Sequence, residues 1–268
     1  MSKFAEFAAA RDWLARNPQV RFVDLLLPDQ MGNPRGKRIT VDELESVHHD
    51  GLMLPASVFA VDVLGSTIQS TGLGFDEGDA DRVCLPIADT LVPVPWLGPE
   101  IAQMQVSMYE HDRQPFHGDP RHVLASVVAR LAELQLTPVM AVELEFYLVD
   151  RERTVEGHAQ PPRKPLSGRR EYRTQINSMA DLNEYSVVLT AIDAAARAQG
   201  VPVGTSLAEY GAGQFEVNLH HVADALVASD HAILLKRVVR GVTLQHGMWR
   251  RSWPSRTATR RAAAHTCT

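Results

Sequence analysis

Cysteine is almost absent. Cys84 and Cys267 are too few and too far apart in the chain to build a disulfide framework or a cysteine metal site, and Cys84 is read as a core thiol. No run approaches the roughly 20 consecutive apolar residues of a membrane span. Glu6, Arg11 and Asp12 interrupt the start, so it lacks an apolar signal core, and a cytoplasmic protein without membrane contact is expected. A surplus of positive charge is missing as well. The formal net charge is −5, and because residues 249–268 hold five arginines and no acid, residues 1–248 carry −10. That balance argues against nucleic acid as a partner of the main body. No Walker-type Gly-x-x-x-x-Gly-Lys and no internal repeat occur. What is present, 268 residues of which 45% are hydrophobic, can bury a sizeable core in one or two domains.

Local signals divide the chain. Phe4, Phe7, Trp13 and Leu14 at helical spacing, stopped by Asn17-Pro18, predict a short N-terminal helix. Val20 to Pro28 and Arg35 to Ile39 read as strands joined by a turn over residues 29–34. Thr40 and Glu43 then have capping-box spacing for a helix ending near Gly51. Pro86, Pro93, Pro95 and Pro99 punctuate a connector, and a domain boundary is placed between about residues 110 and 118. Asp119-Pro120 opens a helix with Leu124, Val127, Val128, Leu131 and Leu134 at helical spacing, ended by Thr137-Pro138. Val139 to Val149 is a buried-strand candidate, and residues 151–170 form a polar loop. Asp181 to Glu184 caps a helix to Gly200, and a last helix runs from about Asp224 to Gly241.

The chemistry begins with acids where a core strand should be apolar. Side chains alternate along a strand, so Glu143 and Glu145 share one face of an otherwise apolar segment. Ionised carboxylates in a dry site cost several kcal/mol each unless compensated. Arginine salt bridges or a solvent-facing strand would explain one such pair. A second pair, Glu209 and Glu216, flanks the turn Gly211-Ala-Gly213, after which Gln214, Glu216, Asn218 and His220 point one way and Phe215, Val217, Leu219 and His221 the other. Four glutamates on strands can line one pocket, and oxygen-only ligands suit Mg²⁺ or Mn²⁺ rather than zinc. His220 and His221 are open to an amine-pocket or a structural role.

The stretches Glu143-Leu-Glu-Phe-Tyr and Glu209-Tyr-Gly-Ala-Gly-Gln-Phe-Glu-Val-Asn-Leu-His-His resemble the metal-binding signatures of the glutamine synthetase family. Gln30 to Arg38 is similar to that family's N-terminal hairpin, and Ser229 to Val239 to its following helix. Within the family the wording is nearer the γ-glutamylpolyamine synthetase-like subgroup. The resemblance implies an α+β fold: a small N-terminal β-grasp domain over residues 1–112, then the first part of a catalytic domain, an antiparallel sheet with helices, over residues 113–248. It implies homo-oligomeric rings and ATP as co-substrate. By motif match Glu145, Glu209 and Glu216 would hold one divalent ion and Glu143 would contribute to a second. Asp62 falls where the family places an aspartate that reaches into the adjacent subunit's site and handles the incoming amine; capping its own turn is the alternative for that residue alone. The implied reaction joins the γ-carboxylate of glutamate to a polyamine or to ammonia through a γ-glutamyl phosphate. A non-catalytic metal- or nucleotide-binding regulatory subunit is the competing reading, and a metal-dependent phosphotransferase or hydrolase a third.

After Met248 the resemblance stops, and residues 249–268 contain no Leu, Ile, Val or acid, so no packed element is expected there. The family continues with Val-Ala-Thr-Phe-Met-Ala-Lys-Pro. Written in GC-rich codons and translated without its first base, that stretch gives Trp-Arg-Arg-Ser-Trp-Pro-Ser-Arg, which is residues 249–256. The other frame across residues 264–268 can encode Thr-His-Met-His, which resembles the family's histidine metal motif. Residues 249–268 are therefore read as an out-of-frame tail. The resemblance implies loss of the second metal's histidine and further glutamate, of most of the nucleotide site, and of the arginines that grip glutamate and phosphate. A catalytically inactive, poorly soluble chain is expected.

Overall fold

The computed structural model describes residues 5–74, 78–173 and 175–252, with the backbone alone for residues 250–252. Phe4, Cys267 and most of the tail read as out of frame lie outside those residues. The chain divides into two compact units, residues 1–137 and 138–268, so the helix after Asp119 belongs by its contacts with the first unit.

In the first unit, strands β1 (Phe22–Pro28) and β2 (Pro34–Thr40) form an antiparallel hairpin. Its turn is set by Asp29, whose Oδ1 accepts the N–H groups of Met31 and Asn33 at 2.9 and 2.8 Å. β1 also runs parallel to β6 (Ile101–Tyr109), which pairs antiparallel with β4 (Asp81–Pro86), and β4 with β3 (Leu52–Pro55); the order is β2-β1-β6-β4-β3. The proline-rich segment expected to be a connector is part of this sheet, because β5 (Val92–Pro93) pairs with β6. Helix α1 (Phe7–Arg16) and helix α2 (Leu44–Asp50) supply Ala10, Leu44 and Val47 to a core shared with Val23, Leu25, Leu27, Met104 and Met108. The capping box forms as predicted, leading through a 3-10 turn at Val41–Glu43 into α2, and Gly51 ends the helix at φ 85°. A hairpin, a crossing helix and a parallel central pair make this the β-grasp arrangement. Cys84 lies fully buried in its core, where burial foremost pushes the thiol up to about 12.

Helix α3 (Pro120–Glu133) opens on Asp119, whose Oδ1 accepts from Arg121 N while Oδ2 accepts from Ser107 Oγ and Met108 N at 2.9 and 2.8 Å. The helix ends at Leu134, before the predicted Thr137-Pro138, because Gln135 turns into the left-handed region at φ 58°. Its only buried residue is His122.

The second unit is a four-stranded antiparallel sheet in the order β10-β7-β9-β8: β7 (Glu143–Asp150), β8 (Val203–Ala208), β9 (Gln214–Leu219) and β10 (Met248–Ser252). Helices α5 (Ser186–Ala198) and α6 (Ala225–Gln245) pack on one face, where Phe146, Phe215, Leu148, Ile192, Leu235 and Val238 are buried. Burying each such side chain contributes about 1.5–3 kcal/mol.

Three expectations need correction. Asp181 is not a cap: Ser178 caps α4 (Met179–Glu184), and Asp181, inside that helix, pairs with Lys164 at 2.6 Å while Tyr185 separates α4 from α5. α6 runs on to Gln245, past Gly241, since one glycine in a packed helix costs only about 1 kcal/mol. Residues 249–252, expected to form no packed element, continue a strand from Met248 that pairs with β7, with Met248 opposite Asp150 and Ser252 opposite Phe146. Ladder pairing uses backbone N–H and C=O groups, so the absence of Leu, Ile and Val does not prevent it. No helix among the described residues is long and apolar enough to cross a membrane.

Candidate metal centre

Strict alternation places Leu144, Phe146 and Leu148 of β7 and Phe215, Val217 and Leu219 of β9 against the helices, which turns Glu143, Glu145 and Tyr147, and Gln214, Glu216 and Asn218, to the opposite face. The register then pairs Glu143 with Asn218, Glu145 with Glu216 and Tyr147 with Gln214. Glu209 joins them from the end of β8, its N–H donating to Gln214 O at 2.9 Å across the turn. Gly213 makes that turn possible: its φ is 74°, and an added Cβ would stand 2.8 Å from the carbonyl oxygen of Leu148.

One carboxylate oxygen from each of Glu145, Glu209 and Glu216 lies within 4.8 Å of the others. Glu145 and Glu216 are only 9% and 8% exposed, which removes the solvent-facing explanation for the acids on this strand. Burial, then Glu143 and Glu209, push the Glu216 carboxyl up to about 7; burial, then Glu209, raise Glu145. Among the described residues, the charges acting on these two groups are those of other carboxylates and not of a Lys or Arg, which argues against the salt-bridge explanation. Like charges gathered in a dry site call for a cation. The donor set is all oxygen, which fits a hard divalent ion, and Asn218 Oδ1, buried beside Glu216 without a donor, adds an acceptor that an ion's bound water would satisfy.

Glu143 acts on Glu216 by charge but is not one of the three that converge. Asp62 lies in the first unit, where its Oδ1 accepts the N–H groups of Leu64 and Ser66 at 2.8 and 2.9 Å and so caps its own turn. His220 and His221 are exposed at the end of β9. Two participants were not singled out as functional from sequence. Gln214 Nε2 donates to Glu145 Oε2 at 3.0 Å, and Tyr147 Oη donates to Gln214 Oε1 at 2.8 Å. The alternation that put Gln214 on the same face as Glu216 was the available signal.

Residues 117–259 match the family profile described as glutamine synthetase, catalytic domain, a match that runs past Met248. Over 236 residues the chain is 42% identical to γ-glutamylputrescine synthetase PuuA of Escherichia coli (strain K12), covering 88% of this chain and 50% of that protein. It is 27% identical to a glutamine synthetase of Clostridium saccharobutylicum, covering 88% of this chain and 48% of that one. Among solved structures, apo GmaS without ligand superposes with a TM-score of 0.74 at 23% identity, over 95% of this chain and 54% of that chain. The chain spans about half the length of the curated relatives it matches. A metal-type carboxylate cluster on the strands that carry the matching motifs, within a profile match covering more than half of the residues, places the chain in the glutamine synthetase family.

Proposed function

We propose that the chain carries part of the active site of an ATP-dependent ligase that joins the γ-carboxylate of glutamate to an amine, with a polyamine such as putrescine as the amine. The convergence of Glu145, Glu209 and Glu216 carries this reading. The preference for a polyamine over ammonia rests on the 42% identity to γ-glutamylputrescine synthetase against 27% to a glutamine synthetase.

In this scheme Glu145, Glu209 and Glu216 hold one Mg²⁺ or Mn²⁺ and Glu143 contributes to a second. Divalent ions there supply neutralisation and alignment of the transferring phosphoryl group. An oxygen of glutamate's γ-carboxylate attacks the γ-phosphorus of ATP and ADP leaves. The amine nitrogen then attacks the acyl phosphate carbon and phosphate leaves. Asp62 of a neighbouring copy of the chain would take the proton released from the amine on Oδ2, since Oδ1 is engaged by two backbone N–H groups. The rings of the resemblance and a cytoplasmic location belong to the same proposal.

The out-of-frame reading of residues 249–268 also stands as a proposal, and with it the inactivity of the 268-residue chain. Resequencing the gene from the Met248 codon onward tests it. One missing base whose restoration opens a frame encoding Val-Ala-Thr-Phe-Met supports it; an intact frame ends it. The ligase reading is tested on the restored protein by phosphate release from ATP with glutamate plus putrescine, or plus ammonia. Release that ignores both amines overturns the ligase assignment, and release with ammonia alone overturns the polyamine preference.

A further inference from the structure

Gln214 is 3% exposed, and one end of its side-chain amide reaches the carboxylate cluster. Its amide orientation is fixed by chemistry. The Gly211 backbone N–H, which can only donate, lies 2.9 Å from Oε1, so that atom is the oxygen and the other end is the NH₂ group. Tyr147 Oη donates to the same Oε1 at 2.8 Å, and the NH₂ group then donates to Glu145 Oε2 at 3.0 Å. Gly211 is part of the device, because a Cβ there would stand 2.8 Å from Gln214 Oε1 and 2.8 Å from Tyr147 Cε1. Tyr147 and Glu145 of β7 and Gly211 of the turn thus meet on one amide at the start of β9.

We infer that Gln214, held by Tyr147 and Gly211, is a positioning residue that sets the rotation of the Glu145 carboxylate and so the direction of the oxygen lone pairs it presents to a divalent cation. The inference rests on the proposed metal site. A carboxylate in a three-acid cluster is pushed by its neighbours' charge to turn away; a neutral donor on one oxygen opposes that without adding a positive charge that would compete with the cation. Hydrogen-bond partners of metal ligands typically contribute 10–100-fold in metal affinity.

Mn²⁺ alone is titrated into the 268-residue chain and its variants, with binding followed by water-proton relaxation and folding by circular dichroism. Gln214→Met, which keeps length and removes both hydrogen-bonding ends, is expected to weaken Mn²⁺ binding about 10–100-fold. Tyr147→Phe leaves the Gly211 bond in place and is expected to weaken it less. Because both act through one amide, the double variant is expected to bind no more weakly than Gln214→Met alone. A purely structural role would lower thermal stability without this pattern of affinities. If Gln214→Met unfolds, Tyr147→Phe decides. Mn²⁺ affinity unchanged in the folded variants, or additive losses, overturns the positioning role while leaving the metal site standing. Failure of the unaltered chain to bind Mn²⁺ overturns the metal site itself.

Discussion

Glu145 and Glu216 face each other directly across the β7–β9 pair, each about nine-tenths buried, and among the described residues no cationic side chain acts on either. Cross-strand like charges are destabilising at the surface and more so in a dry site. The arrangement therefore opposes stability in the metal-free chain and favours binding of a cation.

Stability of the metal-free chain should depend on pH through this pair. Glu216 titrates at about 7 in the folded chain against 4.5 for an unperturbed glutamate. Between those values the folded state binds more protons than the unfolded one, so stability falls as pH rises through the window and levels off above it. Thermal melts in EDTA across that range should show the decline, and Glu216→Gln should flatten it. A melting temperature that rises with pH between 4.5 and 7 in both proteins would contradict the assignment.

Added Mn²⁺ should reverse the penalty. A ligand that binds only the folded state stabilises it by about 2.7 kcal/mol when present at a hundred times its Kd. Melts above pH 7 with and without Mn²⁺ should separate for the unaltered chain and coincide for Glu209→Gln, which removes one of the three converging carboxylates.

Gly213→Ala should damage the turn and the site together. The position combines φ 74° with a 2.8 Å approach to Leu148 O, so the variant should lose about 1–3 kcal/mol in denaturant unfolding and bind Mn²⁺ more weakly. Wild-type stability in this variant would show that the turn relaxes at no cost.

Asp119→Ala tests how α3 is attached. The substitution removes the cap and strands the Met108 N–H and the Ser107 hydroxyl, so a loss of about 2–4 kcal/mol is expected, read by chemical denaturation. Asp119→Asn, which still accepts from Arg121 N, should recover part of it.

Much of the fold was legible in short stretches. The capping box at Thr40 and Glu43, the Asp119-Pro120 start and the Asp224 cap each act through one or two side chains on neighbouring backbone, so the sequence carries them whole. Glu145 and Glu216 were legible as candidates because period two puts acids on one face of apolar strands, and Glu209 because it flanks the same glycine turn as Glu216. Asp181 was misread as a cap because Asp-Leu-Asn-Glu has cap spacing, whereas its carboxylate is taken by Lys164 from a distant loop. The strand at Met248–Ser252 was missed because composition measures side chains while the pairing is made by the backbone of β7.

The sequence by itself determined the family, the alternation that separates Phe146 and Phe215 from Glu145 and Glu216, and an acid content on core strands that suits a cation. Tertiary structure decided the register. A slip of one residue between β7 and β9 would set Glu145 against an apolar position, and only the folded pairing puts it opposite Glu216 and within reach of Gln214. It also brought Tyr147 and Gly211 to the same amide oxygen, a meeting of residues 64 positions apart in the chain that no local pattern encodes. Local backbone preferences act over a few residues, whereas the direction of a carboxylate's lone pairs is fixed by groups the chain must fold to bring together.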